Sequence, residues 1–453
     1  MNEAVSTLIL PVENQTRELD AKLLLACVAA ERGYPIIIGS RTLLHFGIAS
    51  YPRGVYLAKS MRPLSEKMFN IMRLLGHEIV AWDEEALVCS PDKSYHYARR
   101  QSPKTMKSVS ALFAWSPDDA RVLREYPGYA GAPIHITGNP RIDVMRSEVR
   151  GYFDGQVVAL REQYGKFILI NTNFGWANHF LPKMMEINAS LRPGDKHIEG
   201  TMLHRRALYA HFQEMVPLLA KAFPERTILV RPHPIESHEP WQEIAARHEN
   251  VIVAAEGNVV PWLMACDVLL HNGCTTSLEA AVLQTPSIAY LPVRSEEFDN
   301  HLPNALSHPA LDTQSLIEKV TAILEGRIGP LDSAESRRLI DLHIAARKGK
   351  LACDRMVDVL DDMGFRKNLP PASGRGKRFE GWVRAELRTA QKKRNGRNPG
   401  HRNSPEYHDH RFPEIPIMEM RSRIAGFAEQ LGRFENVCVT PVSPHVFRVE
   451  RVD

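Results

Sequence analysis

The segment Val230-Arg231-Pro232-His233-Pro234 places one histidine between two prolines. The prolines fix the backbone on both sides, so His233 is held rigidly where a strand would otherwise continue. A histidine so placed can donate a hydrogen bond to a phosphate, with Arg231 as a bidentate partner and Pro234 closing the turn. A second segment, His271-Asn272-Gly273-Cys274-Thr275-Thr276-Ser277-Leu278-Glu279, sets three successive hydroxyl residues after a glycine turn. Thr275, Thr276 and Ser277 fall where a helix begins, and hydroxyls with free N–H groups there suit an anion. Glu279, one turn in, is positioned to reach ribose hydroxyls of a nucleotide, although capping alone would also explain the hydroxyls. Asn173, in Asn171-Thr172-Asn173-Phe174-Gly175, is a weaker candidate for contact with the same ligand.

Acidic candidates cluster earlier in the chain. Trp82-Asp83-Glu84-Glu85-Ala86 puts three carboxylates together. Such crowding can raise one carboxylate pKa enough to make it a base, unless the loop is simply solvated. Glu13, Arg17, Glu18 and Asp20 gather at a strand-to-helix junction, where acids favour a helix start. Lys59 and His77 are possible sugar or phosphate contacts, and Gly138-Asn139-Pro140-Arg141 is a candidate hinge. No DxD, Walker, GxGxxG or GxSxG motif occurs, so P-loop chemistry and serine hydrolysis lack support. No metal-ligand pattern and no cofactor motif is present.

These residues need strands that end beside one another. Short β-branched runs alternate with helical patterns through residue 330, which is the mark of βα units and parallel sheets. The first set of strands is predicted at Ser6–Val12, Pro35–Gly39, Gly54–Leu57, Glu78–Trp82, Ala111–Ser116 and Ile134–Thr137. The second is predicted at Phe167–Thr172, Thr227–Val230, Val251–Ala254, Val268–Leu270 and Ser287–Leu291. Helices are expected at Arg17–Gly33, Thr201–Phe223, Trp241–His248 and Ser277–Gln284. The expected fold is α/β, with two doubly wound Rossmann-like domains facing a central crevice, residues 1–150 and 151–330. Residues 331–365 read as helices packing back on the first domain. Residues 366–410 read as a basic linker or arm, and 411–453 as a small extension. There Ile417, Met420, Ile424, Phe427, Leu431 and Phe434 mark one amphipathic helix.

The chain has 453 residues, with 44% hydrophobic, 24% charged and 8% aromatic residues. That composition fits a soluble globular protein of two to three domains. The six cysteines show no CxxC pairing, so neither a disulfide framework nor a zinc site is expected. With no signal peptide or transmembrane run read from the sequence, a cytoplasmic location is expected. The net charge of +4 conceals twelve Lys/Arg against Glu380 and Glu386 between Arg366 and Arg402, leaving −6 elsewhere. Such a stretch suits a mobile tail or peripheral contact with an anionic membrane at the inner face of the cell. Nucleic acid is not expected, since interleaved aromatics are nearly absent.

Taken together, these segments resemble a GT-B glycosyltransferase, and more narrowly the bacterial surface carbohydrate biosynthesis proteins. Pro11-Val12-Glu13 through Arg17-Glu18-Leu19-Asp20 and Gly138-Asn139-Pro140-Arg141 carry the narrower likeness. CMP-sugar transferases of the sialic and Kdo type pair an acidic motif, two acids then glycine, with a His-Pro motif and a later Ser/Thr motif. Glu84-Glu85-Ala86, His233-Pro234 and Thr275-Thr276-Ser277 match in order, with alanine where the pattern has glycine. The resemblance implies Glu85 as general base, with Glu84 beside it, and His233 and the 275–277 hydroxyls holding the donor phosphate. Asp20 or Glu18 is the alternative nucleophile of a retaining route. It further implies a nucleotide-sugar donor and a glycan or glycolipid acceptor, and no metal. CDP-glycerol glycerophosphotransferases resemble the Arg231–Pro234 and 275–277 segments as well, and UDP-GlcNAc 2-epimerases share the two-domain form. A non-catalytic scaffold is the alternative outside enzymes.

Overall fold

A computed structural model describes residues 5–88, 92–181, 195–398 and 400–452. The chain divides into two units: Met1–Ala86, Lys93–Tyr152 and Asp341–Asp453 form the first, and Leu87–Asp92 with Phe153–Ile340 the second. Cys89 lies outside the described residues, and the other five cysteines are free thiols.

Unit 1 contains β1 (Thr7–Val12), β2 (Ile36–Ser40), β3 (Gly54–Ala58), β4 (Glu78–Ala81), β5 (Ala111–Ala114) and β6 (Ile134–Ile136). Unit 2 contains β7 (Phe167–Asn171), β8 (Thr227–Arg231), β9 (Val251–Val253), β10 (Val268–His271), β11 (Ser287–Tyr290) and β12 (His308–Ala310). A C-terminal hairpin, β13 (Val437–Ser443) and β14 (Val446–Arg451), returns to unit 1. The unit 1 sheet runs β13-β14-β2-β1-β3-β4-β5-β6, parallel except for the hairpin. β14 pairs antiparallel with β2, Phe447 opposite Ile38. The unit 2 sheet runs β12-β11-β10-β7-β8-β9 and is parallel throughout.

Burial explains the runs that form these strands. Residues Leu8–Leu10 and Ile168–Ile170 are covered on both faces, as central parallel strands are. In unit 2 the core gathers Ile168, Ile170, Phe212, Val216, Leu270 and Ile288. The helix Gln15–Glu31 is buried continuously from Glu18 to Ala30, because its outer side is covered by Ala352–Asp362 and Ile417–Leu431. Glu18, Asp20 and Lys22 are therefore buried charges within a helix rather than a solvated first turn.

The expected basic linker is instead largely a helix, Arg375–Asn395, docked on Glu66–Leu75. Its inner face is small: Gly381, Ala385 and Thr389 are buried at helical spacing. A Cβ at Gly381 would meet Leu74 Cβ at 2.9 Å and Leu75 N at 3.0 Å, so the two helices touch backbone to side chain. Lys and Arg density outside hides this face from composition. The extension after residue 411 holds the expected amphipathic helix, with Met420, Ile424 and Phe427 buried, and also the hairpin. The 334–363 region forms two helices, Ala334–His343 and Ala352–Asp362. The second is tied to unit 1 by Asp143, whose carboxylate accepts the Ala352 and Cys353 N–H groups at 2.8 Å each.

Candidate functional site

In unit 2 the strand order reverses between β7 and β10, which run on opposite sides of the point where the sheet was begun. In such sheets ligands bind outside the carboxyl ends of the strands at that switch point. The loops after β7 and β10 are 172–175 and 272–275, and the His233 turn follows the neighbouring β8. Three of the sequence candidates thus meet at one edge of one sheet.

The His233 turn and the β7 loop are joined by Glu236, which the sequence reading did not single out. Glu236 is fully buried. Its Oε1 accepts Phe174 N–H at 2.7 Å, Thr172 Oγ1 at 2.8 Å and His233 N–H at 3.3 Å. Burial pushes its pKa up to about 7, although the hydrogen bonds from Phe174, Thr172 and His233 oppose the shift. A Cβ at Gly175 would meet Ile235 Cδ1 at 2.4 Å, so the two loops lie in close contact. His233 Nδ1 accepts Ile235 N–H at 3.3 Å, which places the proton of the neutral ring on Nε2. The partly exposed ring therefore presents a donor, as phosphate binding requires.

Across the switch point, Gly273 takes φ +77°, a left-handed conformation that favours glycine. It packs against Asn300, whose Nδ2 donates to Gly273 O at 2.7 Å. The helix Thr276–Leu283 starts at Thr275 without a side-chain cap. Capping therefore does not account for the threonines. Thr276 Oγ1 is buried without a hydrogen-bond partner, whereas Ser277 Oγ donates to Cys274 O and Pro303 O at 3.0 and 3.2 Å. Ser277 braces the turn, and Glu279 is buried beside it. His271 is structural: its ring is held by Ser307 at 2.8 Å and Gly273 N–H at 3.0 Å, and burial lowers its pKa to about 3. Asn171 ends β7 and Asn272 follows β10; both amides are buried, and neither the oxygen nor the nitrogen of either has a hydrogen-bond partner. Unpaired buried amides are costly in a folded protein, so their placement on both sides of the switch point makes this edge the candidate ligand surface. Asn173 between them is partly exposed.

Arg231 departs from expectation. Its guanidinium donates to the carbonyls of Gly257, Ala255 and Glu256 at 2.6, 3.3 and 3.5 Å and lies over the Trp262 ring at 5.7 Å. Burial lowers its pKa to about 10. It fixes the 255–257 loop and is not the bidentate phosphate partner expected from the Arg-Pro-His-Pro segment.

In unit 1 the order reverses between β1 and β3, and Glu13 and Lys59 follow those two strands. They form an ion pair at 2.9 Å. Glu13 also pairs with Arg41 at 3.0 Å and Arg411 at 2.8 Å. Burial favours its neutral form, but Arg41, Lys59 and Arg411 outweigh that and hold it well below the usual carboxylate range. Glu18 is buried and paired with Lys22 at 2.7 Å and with Lys59. Asp20 is buried against Arg423 and Tyr152, whose hydroxyl donates at 3.0 Å. It clasps the C-terminal helix onto unit 1, so neither Glu18 nor Asp20 is placed as an accessible nucleophile.

The acidic loop after β4 is likewise neutralised. Asp83 pairs with Arg100, Glu84 accepts Trp82 Nε1 at 2.8 Å with Lys22 at 3.7 Å, and Glu85 pairs with Arg17 at 3.1 Å. For Glu85, burial would raise the pKa, but Arg17, Arg100 and Arg141 hold it at about 2. For Glu85 the upward shift expected from crowded acids is thus reversed by the cations around it. Glu85 remains the most open of the three, at 35% side-chain exposure against 5% and 3%. His77 is buried, accepts Gly54 N–H at 3.2 Å and is lowered to about 4 by burial, which makes it structural. Asn139 caps the helix Pro140–Asp143 inside unit 1, and Arg141 lies over Trp115.

No protein-family model matches the chain, and no curated protein matches it in sequence. Among solved structures, the wall teichoic acid polymerase TagF, in a crystal soaked with CDPG for 30 minutes, superposes with TM-score 0.51. The identity is 11%, over 79% of this chain and 88% of that one. A TagF variant gives TM-score 0.50 at 11% identity, over 80% and 89%. UDP-GlcNAc 2-epimerase from Neisseria meningitidis gives 0.48 at 13%, over 79% and 98%. The chain has the two-Rossmann-unit GT-B fold.

Proposed function

We propose that this protein is a transferase that binds a cytidine-nucleotide-activated donor in unit 2 and passes its group to a surface glycan or glycolipid acceptor. The carrying observation is the pair of buried, unpartnered amides Asn171 and Asn272 flanking the switch point, with His233 clamped beside them by Glu236. His233 Nε2–H and Thr276 Oγ1 would meet the donor phosphate, and the amides a polar part of the nucleotide or the transferred group. A CMP-linked Kdo-like or nonulosonic acid is the donor implied by the order of the acidic, His-Pro and hydroxyl motifs. Its single phosphate leaves as a monoester that hydrogen-bond donors can stabilise, so transfer is expected to survive chelation of divalent metal. Glu85 would take the proton of the acceptor hydroxyl in unit 1. The second reading is transfer of a polyol phosphate from a CDP-linked donor, favoured by the fold shared with TagF, which was soaked with CDPG.

Among the described residues no helix is long and apolar enough to cross a membrane. A peripheral contact is proposed instead through Arg375–Asn395, whose outer face exposes Phe379, Trp382 and Leu387 at 66%, 47% and 66% amid Lys and Arg. Replacing these three residues by serine is expected to release the protein from anionic vesicles, measured by co-sedimentation.

The donor reading is tested by calorimetric titration with CMP, CDP and UDP, on wild type and His233→Ala. Cytidine nucleotides are expected to bind at least tenfold tighter than UDP, and the variant to lose that binding. Equal binding of UDP, or an unaffected variant, overturns it.

A further inference from the structure

The charged edge of unit 1 holds more cations than its carboxylates neutralise. Glu13 is shared by Arg41, Lys59 and Arg411, while Glu18 and Glu84 are occupied by Lys22 and Lys59. The docked helix Arg375–Asn395 then brings two more. Arg388 and Lys392 stand one turn apart, continuing the inward face of Gly381 and Ala385 beyond the point where it packs on Glu66–Leu75. There the helix lies beside Arg41–Phe46, and Arg388 and Lys392, after burial, help to lower the pKa of His45, while burial and then Arg41 lower that of Arg388. Neither has a carboxylate at ion-pair distance among the described residues. Arg402 and His408 approach Lys392 from the following segment, where Asp409 is exposed. His408 Nε2 is buried with no hydrogen-bond partner.

The remaining groups facing this cluster do not relieve it. His45 is buried and bonded at 2.8 Å to the Tyr56 hydroxyl, which is neutral and supplies no counter-charge. Partly buried like charges are unfavourable together unless an anion sits between them. Lys392 shows the strain: burial first, then Arg388 and Arg41, bring its pKa down to about 7.

We propose that Arg41, Arg388, Lys392 and Arg402, with His408 beside them, form a binding site for a phosphate-ester or diphosphate group. Guanidinium forks fit phosphate oxygens in pairs, and an ammonium completes the charge. The site is assembled by the C-terminal extension on the carboxyl edge of β2, in unit 1. It does not rest on the donor reading, whose residues are all in unit 2. The phosphate belongs either to a soluble ligand or to a lipid headgroup.

The test is titration of the full chain with inorganic pyrophosphate at low salt, by calorimetry and thermal shift, with co-sedimentation on phosphatidic acid vesicles. Binding is expected in the wild type and in His233→Ala, and at least tenfold weaker binding in Arg388→Gln/Lys392→Gln. Pyrophosphate that displaces the protein from vesicles assigns the site to a lipid phosphate; binding of pyrophosphate without vesicle binding assigns it to a soluble one. Without ligand, Lys392→Met is expected to melt higher than wild type, because it removes an unpaired charge. A residue that merely braced the fold would give a lower melting temperature. The proposal fails if neither probe binds, if the double variant binds as well as wild type, or if Lys392→Met lowers the melting temperature.

Discussion

Exchanging Glu236 for glutamine tests how the His233 turn is held. The carboxylate is fully buried, and its pKa is pushed up to about 7. In the unfolded chain a glutamate titrates near ~4.3. Between about pH 4.3 and 7 the folded state therefore binds more protons than the unfolded state, and stability falls as pH rises through that window. The gap corresponds to roughly 4 kcal/mol, of which about 3 is lost between pH 4.5 and 8 as the pH passes through the folded pKa. Glutamine keeps an oxygen for the Thr172, Phe174 and His233 donors and cannot ionise. Raised carboxylates elsewhere, Asp119 and Asp143, add the same slope to both proteins, and Glu13 and Glu85 the opposite one, so the informative quantity is the difference. Urea unfolding at a series of pH values from 4.5 to 8 should show Glu236→Gln gaining about 3 kcal/mol on wild type as pH rises. A difference that stays constant over this range would refute the account of a carboxylate buried without a counter-charge.

Three further outcomes are expected. Gly273→Ala forces a side chain into φ +77° with its Cβ 3.1 Å from Asn300 Cβ, and should lower stability by about 1–2 kcal/mol in thermal melts and weaken nucleotide binding. Arg17→Gln removes the 3.1 Å pair that lowers Glu85, and should move the acid limb of the transfer rate upward by about one pH unit; an unmoved limb removes Glu85 as the proton acceptor. Gly381→Leu cannot be accommodated against Leu74 and Leu75 and should cost about 1–3 kcal/mol, exposing residues 366–374 to limited proteolysis at a protease dose that leaves wild type intact.

What the sequence disclosed depended on whether the signal was local. β1 to β11 are short apolar runs, most of them with β-branched residues, and each was readable within a residue or two. β12, His308–Ala310, has three residues, one of them proline, and shows no such run. The β13–β14 hairpin buries Val446, Phe447 and Val449, but its partner β2 lies some four hundred residues away in the chain. The His233 turn and the 273–277 turn were legible because proline, glycine and hydroxyls punctuate strand ends. Glu236 was not, since nothing local separates a carboxylate buried under two loops from one in water. The acids at 83–85 misled for the same reason: their partners Arg100, Lys22 and Arg17 come from other elements.

The two switch points are therefore chemically opposite. At β7 and β10 polar groups are buried without protein partners, an arrangement whose cost a ligand or ordered water would offset. At β1 and β3 every carboxylate is already engaged, and the uncompensated groups are cations contributed by the C-terminal helices. The unit 2 edge therefore suits a ligand rich in hydrogen-bonding functions, and the unit 1 edge one that carries negative charge. A base of pKa about 2 is a poor proton acceptor near neutrality, because catalysis by a general base is most effective when its pKa lies near the working pH. Glu85 can serve only if acceptor binding loosens Arg17. The Arg17 pair is thus where acceptor binding and proton transfer would be coupled. Comparing the acid limb measured at saturating and at low acceptor separates a Glu85 freed by its substrate from one held permanently by Arg17.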